Sequence, residues 1–435
     1  MKITKNSWGF FPKKMAKKVI DIDVASLSKS ELQNSSENIA SGNGRSYGDS
    51  ALADVQLNLL PSNLFIHFDS KQGHLTVQSG VLLRDILNAF VPRGWFLQVS
   101  PGTKLITIGG AIASDVHGKN HHLSGCFSES VVGFELVDGQ GKVYRCSKTN
   151  NADLFQATCG GQGLTGVITQ ATIQLKRIPS SMVVETTHKT QSLTETFAVF
   201  ERNSSASYSV AWVDCLSSGK SMGRSLVSIG EFSEKGDFHY QPKPKFTLPF
   251  FMPSFLLNSL SVRLFNLFYY HKVRQKVGQS SKTIDQFFYP LDAIGNWNKM
   301  YGKKGFIQYQ FILPLKDSEE GMQEILALIS KSKKGSFLAV LKLYGPENEN
   351  WLSFPMEGYS LALDFKVTND LFPFLKKLDQ LVLKFNGRIY LAKDARVSKE
   401  VFEQGYPNIE RFREFRKSSG ANQVFQSCQS IRLGI

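Results

Sequence analysis

Three glycine-rich runs crowd the first 170 residues, each beside Ser or Thr: Gly42-Asn-Gly-Arg-Ser-Tyr-Gly48, the stretch Ser100–His122 (SPGTKLITIGGAIASDVHGKNHH), and Cys159-Gly-Gly-Gln-Gly-Leu-Thr-Gly166. Backbone without Cβ atoms can approach a ligand closely and aim its amides at an anion. Gly109-Gly110 is the expected place for that contact. One such run alone reads as tight turns. Three in succession point to a cradle that holds a pyrophosphate through backbone amides, without a dedicated lysine or metal. The first run spells G-x-G-x-x-x-G after only a short apolar stub. That differs from the Rossmann fingerprint, so a nicotinamide-binding unit is a weak reading.

At 435 residues, with 42% hydrophobic and 20% charged, the chain is long enough for two or three globular domains. The formal net charge of +14 favours an anionic partner: nucleic acid, acidic lipid or a phosphorylated substrate. There is no stacking motif and no basic recognition helix, so nucleic acid is not expected. Five cysteines form an odd set with no C-x-x-C pair, which argues against a disulfide framework and structural zinc and suits a reducing compartment. The opening MKITKNSWGFFPKKMAKK lacks a signal-peptide core, and no window reaches 18 uninterrupted apolar residues. A cytoplasmic protein, at most peripheral at the inner face of the membrane, is expected.

Residues 1–180 read as mixed α and β. A strand is expected from His74, a helix over Leu82–Phe90 with apolar residues at i, i+1, i+4, i+5 and i+8, and a hairpin over Val131–Arg145. Asp153–Gln156 opens a short helix, and Val167–Leu175 alternates like a strand. From about 182 the texture changes, with strand-like text at Tyr208–Val213 and 286–315 and helical patterns at Glu319–Lys334 and Leu371–Phe385. Arg388–Lys393 reads as a strand feeding back toward the first domain. The segment Lys243–Lys276 is aromatic and basic together; it fits either a lid or interfacial segment or core packing.

His117, His121 and His122 surround Lys119. Imidazole is the commonest metal ligand, but no carboxylate or thiolate stands at ligand spacing in the cluster, and a metal site would want such partners. No metal is expected; the histidines are assigned to cofactor or substrate contacts.

GNGRSYGD, SPGTKLITIGGAIASDVHGKNHH and GGQGLTGVI, in this order, resemble the FAD-binding PCMH-type oxidoreductases of the vanillyl-alcohol oxidase class. The nearest resemblance within that class is to the decaprenylphosphoryl-β-D-ribose 2-oxidase family. FFYPLDAIGNWNKMYGKKGFIQYQF (287–311), SFPMEGYSLALDF (353–365) and GRIYLAKDAR (387–396) agree with it. The resemblance implies an α+β, two-domain flavoprotein: residues 1–181 as the FAD-binding domain, 182–387 as a β-sheet substrate domain, and 388–435 returning to the first. It implies FAD contacts from Gly42, Asn43, Gly44, Arg45, Ser46 and Tyr47 in the first loop. From the second they come from Pro101, Gly102, Thr103, Thr107, Gly109, Gly110, Ser114, Asp115 and His117. Gln162, Gly163, Gly166, Ile168 and finally Tyr390 complete the set. Covalent flavoproteins of the class often carry a histidine where Arg45 stands, so noncovalent FAD is expected.

For the substrate the resemblance points to Lys119, Gln308, Gln310, Ser360, Asp364 and Lys393, with Lys393, Lys119, Tyr47 and Gln310 as the catalytic set. The QYQ alternation sends Gln308 and Gln310 to one face of a strand. The implied reaction oxidises a sugar hydroxyl, with hydride passing to flavin N5. The substrate would be a polyprenyl-phosphoryl pentose, in cell-wall polysaccharide synthesis, with a short-chain reductase as the partner that completes an epimerisation. An aldonolactone or alditol oxidase acting on a soluble sugar is the second reading. Ala362 stands where mycobacterial members have cysteine, and Ser360 where the family usually has Asn.

Overall fold

Period-two alternation and turn glycines set most of the strands, and amphipathic stretches set the helices that cover them. The computed structural model describes residues 7–27, 32, 37–242 and 246–435. The first six residues of the opening segment, and Lys243, Pro244 and Lys245 of the aromatic basic segment, lie outside the described residues.

The first two sheets carry the glycine loops. Lys18–Asp21, Val55–Asn58 and Asn38–Ser41 form a small parallel sheet. Beside it, His74–Gln78 and Val131–Val137 flank the long strand Val167–Arg177, all antiparallel. The hairpin places Glu135 opposite Arg145 and Val137 opposite Val143. Helix Leu83–Phe90 buries Leu83, Ile86, Leu87 and Phe90, the stripe its spacing predicts.

The third sheet has eight strands. Its order is Val277–Thr283, Met182–Thr190, Ser225–Phe232, Tyr208–Val213, Ala339–Tyr344, Gly358–Lys366, Phe306–Pro314 and Arg388–Ile389. One face carries Tyr309, Phe311, Leu341, Leu361 and Leu363 into a large core with Phe197, Ile325 and Leu378. Those last three come from helices Leu193–Arg202, Ser318–Ser332 and Leu371–Lys384. Period two sends Gln308, Gln310, Lys342, Ser360 and Ala362 to the opposite face. Register fixes their neighbourhood, because Gln310 pairs with Ala362, and Lys342 with Ser360.

The strand expected at Arg388–Lys393 is shorter and differently placed. Only Arg388–Ile389 is extended, and it pairs with Phe311 and Ile312 at the edge of the eight-stranded sheet. The chain turns back after it: Ala421, Val424 and Phe425 pack with Val55, Leu57 and Leu59, and Arg432 pairs with Asp49 at 2.8 Å. Gly48 sits in this seam; a Cβ there would overlap the Asp394 carbonyl, so the first loop and the C-terminal return are packed backbone to backbone.

Candidate active site

A cavity of about 860 Å³ lies between the glycine loops and the polar face of the eight-stranded sheet. That is near the top of the range for small-molecule and cofactor sites. Gly42, Asn43, Gly44, Arg45, Ser46 and Tyr47 line it from the first loop. Gly44 has φ of 62°, a conformation that suits glycine and makes successive amides converge. Among the described residues, the amides of Asn43, Gly44, Arg45 and Ser46 meet no protein acceptor. Arg45 is held with its guanidinium 4.0 Å from the Trp8 ring centroid, and Asn43 Nδ2 donates to Leu105 O at 2.7 Å.

Pro101, Gly102, Thr103, Thr107, Gly109, Gly110, Ser114 and His117 line the cavity from the second loop. The expected anion donors there are not free. Gly109 N–H donates to Ser79 O at 2.9 Å, and Gly110 N–H to Thr107 Oγ1 at 3.2 Å, because Thr107 caps the short helix Ile108–Ala113. Gly109 instead permits close packing: a Cβ would lie 3.0 Å from Ser79 Cβ. Unpaired amides remain in the first loop and, among the described residues, at Gly102, Gly163 and Gly166, which also line the cavity. Gln162, Gly163, Gly166, Ile168 and Tyr390 also line the wall, and Tyr390 OH donates to Ser114 O at 2.9 Å.

Asp115 is a correction. It is fully buried, at φ of 39°, and does not line the cavity. Its carboxylate accepts from Ser128 N–H (3.0 Å), Asn348 Nδ2 (2.8 Å), Asn350 Nδ2 (3.0 Å) and Ser353 Oγ (2.7 Å). It ties the second glycine loop to the loop before Gly358–Lys366. The three histidines also part company. His117 lines the cavity, with Nε2 3.0 Å from Gln310 Nε2. His121 Nδ1 accepts from Gly345 N–H at 3.2 Å, and His122 Nε2 lies 2.8 Å from Ala206 O; neither lines the cavity, so the structure does not bring these two to it. Among the described residues, no cluster of three His, Cys, Asp or Glu side chains could hold a metal.

On the sheet side, Gln308, Gln310, Ser360 and Ala362 line the cavity with Lys119 and Lys393. Gln310 Nε2 is within 3.3 Å of both Tyr344 OH and Ser360 Oγ. Lys393 Nζ lies 3.7 Å from the Tyr47 ring centroid, and Lys119 Nζ donates to the Phe287 carbonyl. Asp364 is the second correction: it stands behind the wall, accepting from Gln308 Nε2 at 2.7 Å and Tyr301 OH at 3.0 Å, and so touches the cavity only through Gln308. Lys342 also lines the cavity, as do Asp292 and Trp297, none of which motif reading singled out.

Burial dominates the electrostatics. It lowers the ammonium groups of Lys119 and Lys393 to about 7 and that of Lys342 to about 8. Nearby Asp364 opposes the shift at Lys393. Burial raises Asp364 itself to about 7 against the pull of its two hydrogen bonds, and lifts the Tyr47 phenol well above its usual value. His117 is pushed well below the usual imidazole range by burial, then by Lys342, so its ring is neutral.

The wall also holds polar atoms that want partners. Arg45 Nε, Ser79 Oγ and His117 Nδ1 are buried without one, and all three residues line the cavity. With the four free amides of the first loop, they suit a large cofactor that is polar at several points and carries phosphate. FAD is such a group, and when bound it supplies the hydride acceptor.

Residues 23–147 match the family described as FAD binding domain. The decaprenylphosphoryl-β-D-ribose oxidase of Mycolicibacterium smegmatis is 38% identical over 412 residues, covering 91% of this chain and 88% of that protein. L-gulonolactone oxidase of Mus musculus is 32% identical over 33% of this chain and 32% of its own length. Cytokinin dehydrogenase 3 of Oryza sativa subsp. japonica is 28% identical over 29% and 25%. The last two share only a domain's length with the chain, whereas the mycobacterial enzyme matches glycine loops and sheet alike. The chain therefore belongs to the decaprenylphosphoryl-β-D-ribose oxidase family and is an FAD-dependent oxidoreductase with a PCMH-type FAD-binding domain.

Proposed function

We propose that the protein oxidises a hydroxyl of a polyprenyl-phosphoryl pentose to the ketone, with FAD bound noncovalently along the three glycine loops. The observation that carries this reading is the convergence of Lys119, Lys342 and Lys393 on one cavity beside the neutral His117. A soluble lactone has no anionic group to meet Lys119 and Lys342; a phosphorylated sugar does. Lys393, lowered to about 7, is placed to take the hydroxyl proton, while FAD held along the glycine loops would supply the hydride acceptor. Tyr47 positions the Lys393 Nζ, which lies 3.7 Å from its ring centroid. Lys119 and Lys342 face the phosphate, and Gln308, Gln310 and Ser360 hydrogen-bond the sugar. Asp364 orients Gln308.

The ketone product would pass to a separate short-chain reductase, which completes an epimerisation in cell-wall polysaccharide synthesis. A protein at the inner face of the membrane fits a substrate of this kind; among the described residues no helix is long and apolar enough to cross a bilayer. Product analysis tests the reading. Polyprenyl-phosphoryl ribose incubated with the enzyme and an artificial electron acceptor should yield a ketone lighter by two hydrogens. Turnover of aldonolactones or alditols alone would favour the second reading, a soluble-sugar oxidase of the same fold.

A further inference from the structure

The helix Ser259–His271 is amphipathic in the wrong sense for water. Its buried stripe is Val262, Asn266 and Tyr270, at i, i+4 and i+8. Two of these are polar and partnered inward: Asn266 Nδ2 donates to Asp214 Oδ1 at 2.8 Å, and Tyr270 OH to Thr190 O at 2.9 Å. Leu260, Leu264, Phe265, Leu267 and Phe268 face outward, Leu260 and Phe268 being 65% and 71% exposed. Phe246, Phe250 and Phe255 extend the exposed apolar surface from the preceding segment. Soluble helices place these faces the other way round, and so many large apolar side chains exposed on one segment mark a contact surface.

Charge says what the contact is. Between Asp237 and Asp285 there is not one Asp or Glu, while the same stretch holds seven Lys and Arg. Arg263, Lys272 and Arg274 are exposed beside the apolar stripe. Apolar side chains ringed by uncompensated cations match an interface with acyl depth below and anionic headgroups around it. The position of the helix adds a second argument. Tyr269, Lys272 and Val273 at its C-terminal end line the same cavity as Lys342 and Gln310, so the cavity reaches the surface next to the patch.

We propose that this face docks on a bilayer bearing anionic headgroups, and that the cavity mouth beside Lys272 thereby opens at the membrane surface. A lipid-linked substrate could then keep its chain in the bilayer while the sugar enters the cavity. That last step rests on the substrate reading above; the docking does not.

Flotation of the full-length, flavin-loaded protein tests it, using phosphatidylcholine vesicles with and without phosphatidylglycerol. The wild type should float with the phosphatidylglycerol vesicles and stay behind with phosphatidylcholine alone. The double variant Leu264→Asp, Phe268→Asp should lose at least tenfold of that binding while keeping its flavin absorbance, since both positions are exposed and outside the cavity. Arg263→Glu with Arg274→Glu should lose it too. No flotation of the wild type, or equal flotation of the aspartate variant, overturns the proposal. So does a wild-type dimer that the same variant makes monomeric without any vesicle binding, which would assign the face to a second copy. Flavin reduction by a water-soluble, short-chain prenyl-phosphoryl ribose separates the two readings. It should be equal in wild type and variant, and its failure in both would remove the substrate reading while leaving the docking result intact.

Discussion

Lys393 lies at the junction of everything the cavity brings together. Its ammonium sits over Tyr47 from the first glycine loop, and its charge is coupled to Asp364 behind Gln308. Burial lowers it to about 7, so the amine loses its proton, and becomes able to accept one, as pH rises through neutrality. The rate of flavin reduction by saturating substrate should therefore climb between about pH 6 and pH 8. Lys393→Ala should keep FAD but slow that reduction by about 10² to 10⁴-fold and abolish the rise; stopped-flow absorbance measures both, and near-normal reduction would remove Lys393 from the chemistry. Ala362 leads to a negative expectation. It lines the cavity opposite Gln310, and among the described residues no cysteine lines that wall. Thiol-directed covalent inhibitors should leave flavin reduction unchanged after prolonged incubation, and a progressive loss with a mass adduct would contradict this.

At the scale of elements, the cavity is made by a strand face meeting loops, and the joints deserve as much weight as the ligands. Asp115 is such a joint, with four hydrogen bonds that fasten the second glycine loop to residues 348–353. Asp115→Asn removes the charge and gives two donors where only acceptors are wanted. It should cost about 2 kcal/mol, read as a lower Tm, while the folded fraction retains its flavin; an unchanged Tm would contradict the role. Sequence made the local elements legible: the 82–90 stripe, the 131–145 hairpin and the QYQ face of Phe306–Pro314 all depend on periodicity within one segment. What it hid depends on how segments meet. Asp115 lies inside the glycine motif, but its left-handed backbone turns it into the core, and no motif records that. The amides of Gly109 and Gly110 look available until Ser79, thirty residues earlier, and the Thr107 cap take them. Lys342 in AVLKLY reads as one lysine on an alternating strand; only the register with Ser360 shows that its face is roofed by the glycine loops.

The whole molecule is a clasp in which the eight-stranded sheet closes over the glycine loops and the C-terminal segment returns to lock them through Gly48, Asp394 and Arg432. This arrangement encloses a cofactor by shape and hydrogen bonding. The wall side chain at the position of interest for a covalent link, Arg45, is stacked on Trp8 and is no nucleophile toward the flavin. Acid precipitation should therefore leave the yellow colour in the supernatant, and a yellow pellet would contradict noncovalent binding. The central claim is that this cavity unites FAD with a phosphorylated sugar. Its most direct test is the absorption spectrum of the purified protein before and after anaerobic addition of candidate sugars. Polyprenyl-phosphoryl ribose should bleach the oxidised flavin band within the enzyme's turnover time, with aldonolactones and alditols leaving it in place; a flavin that the lipid-linked pentose leaves oxidised while a soluble sugar bleaches it would contradict the account.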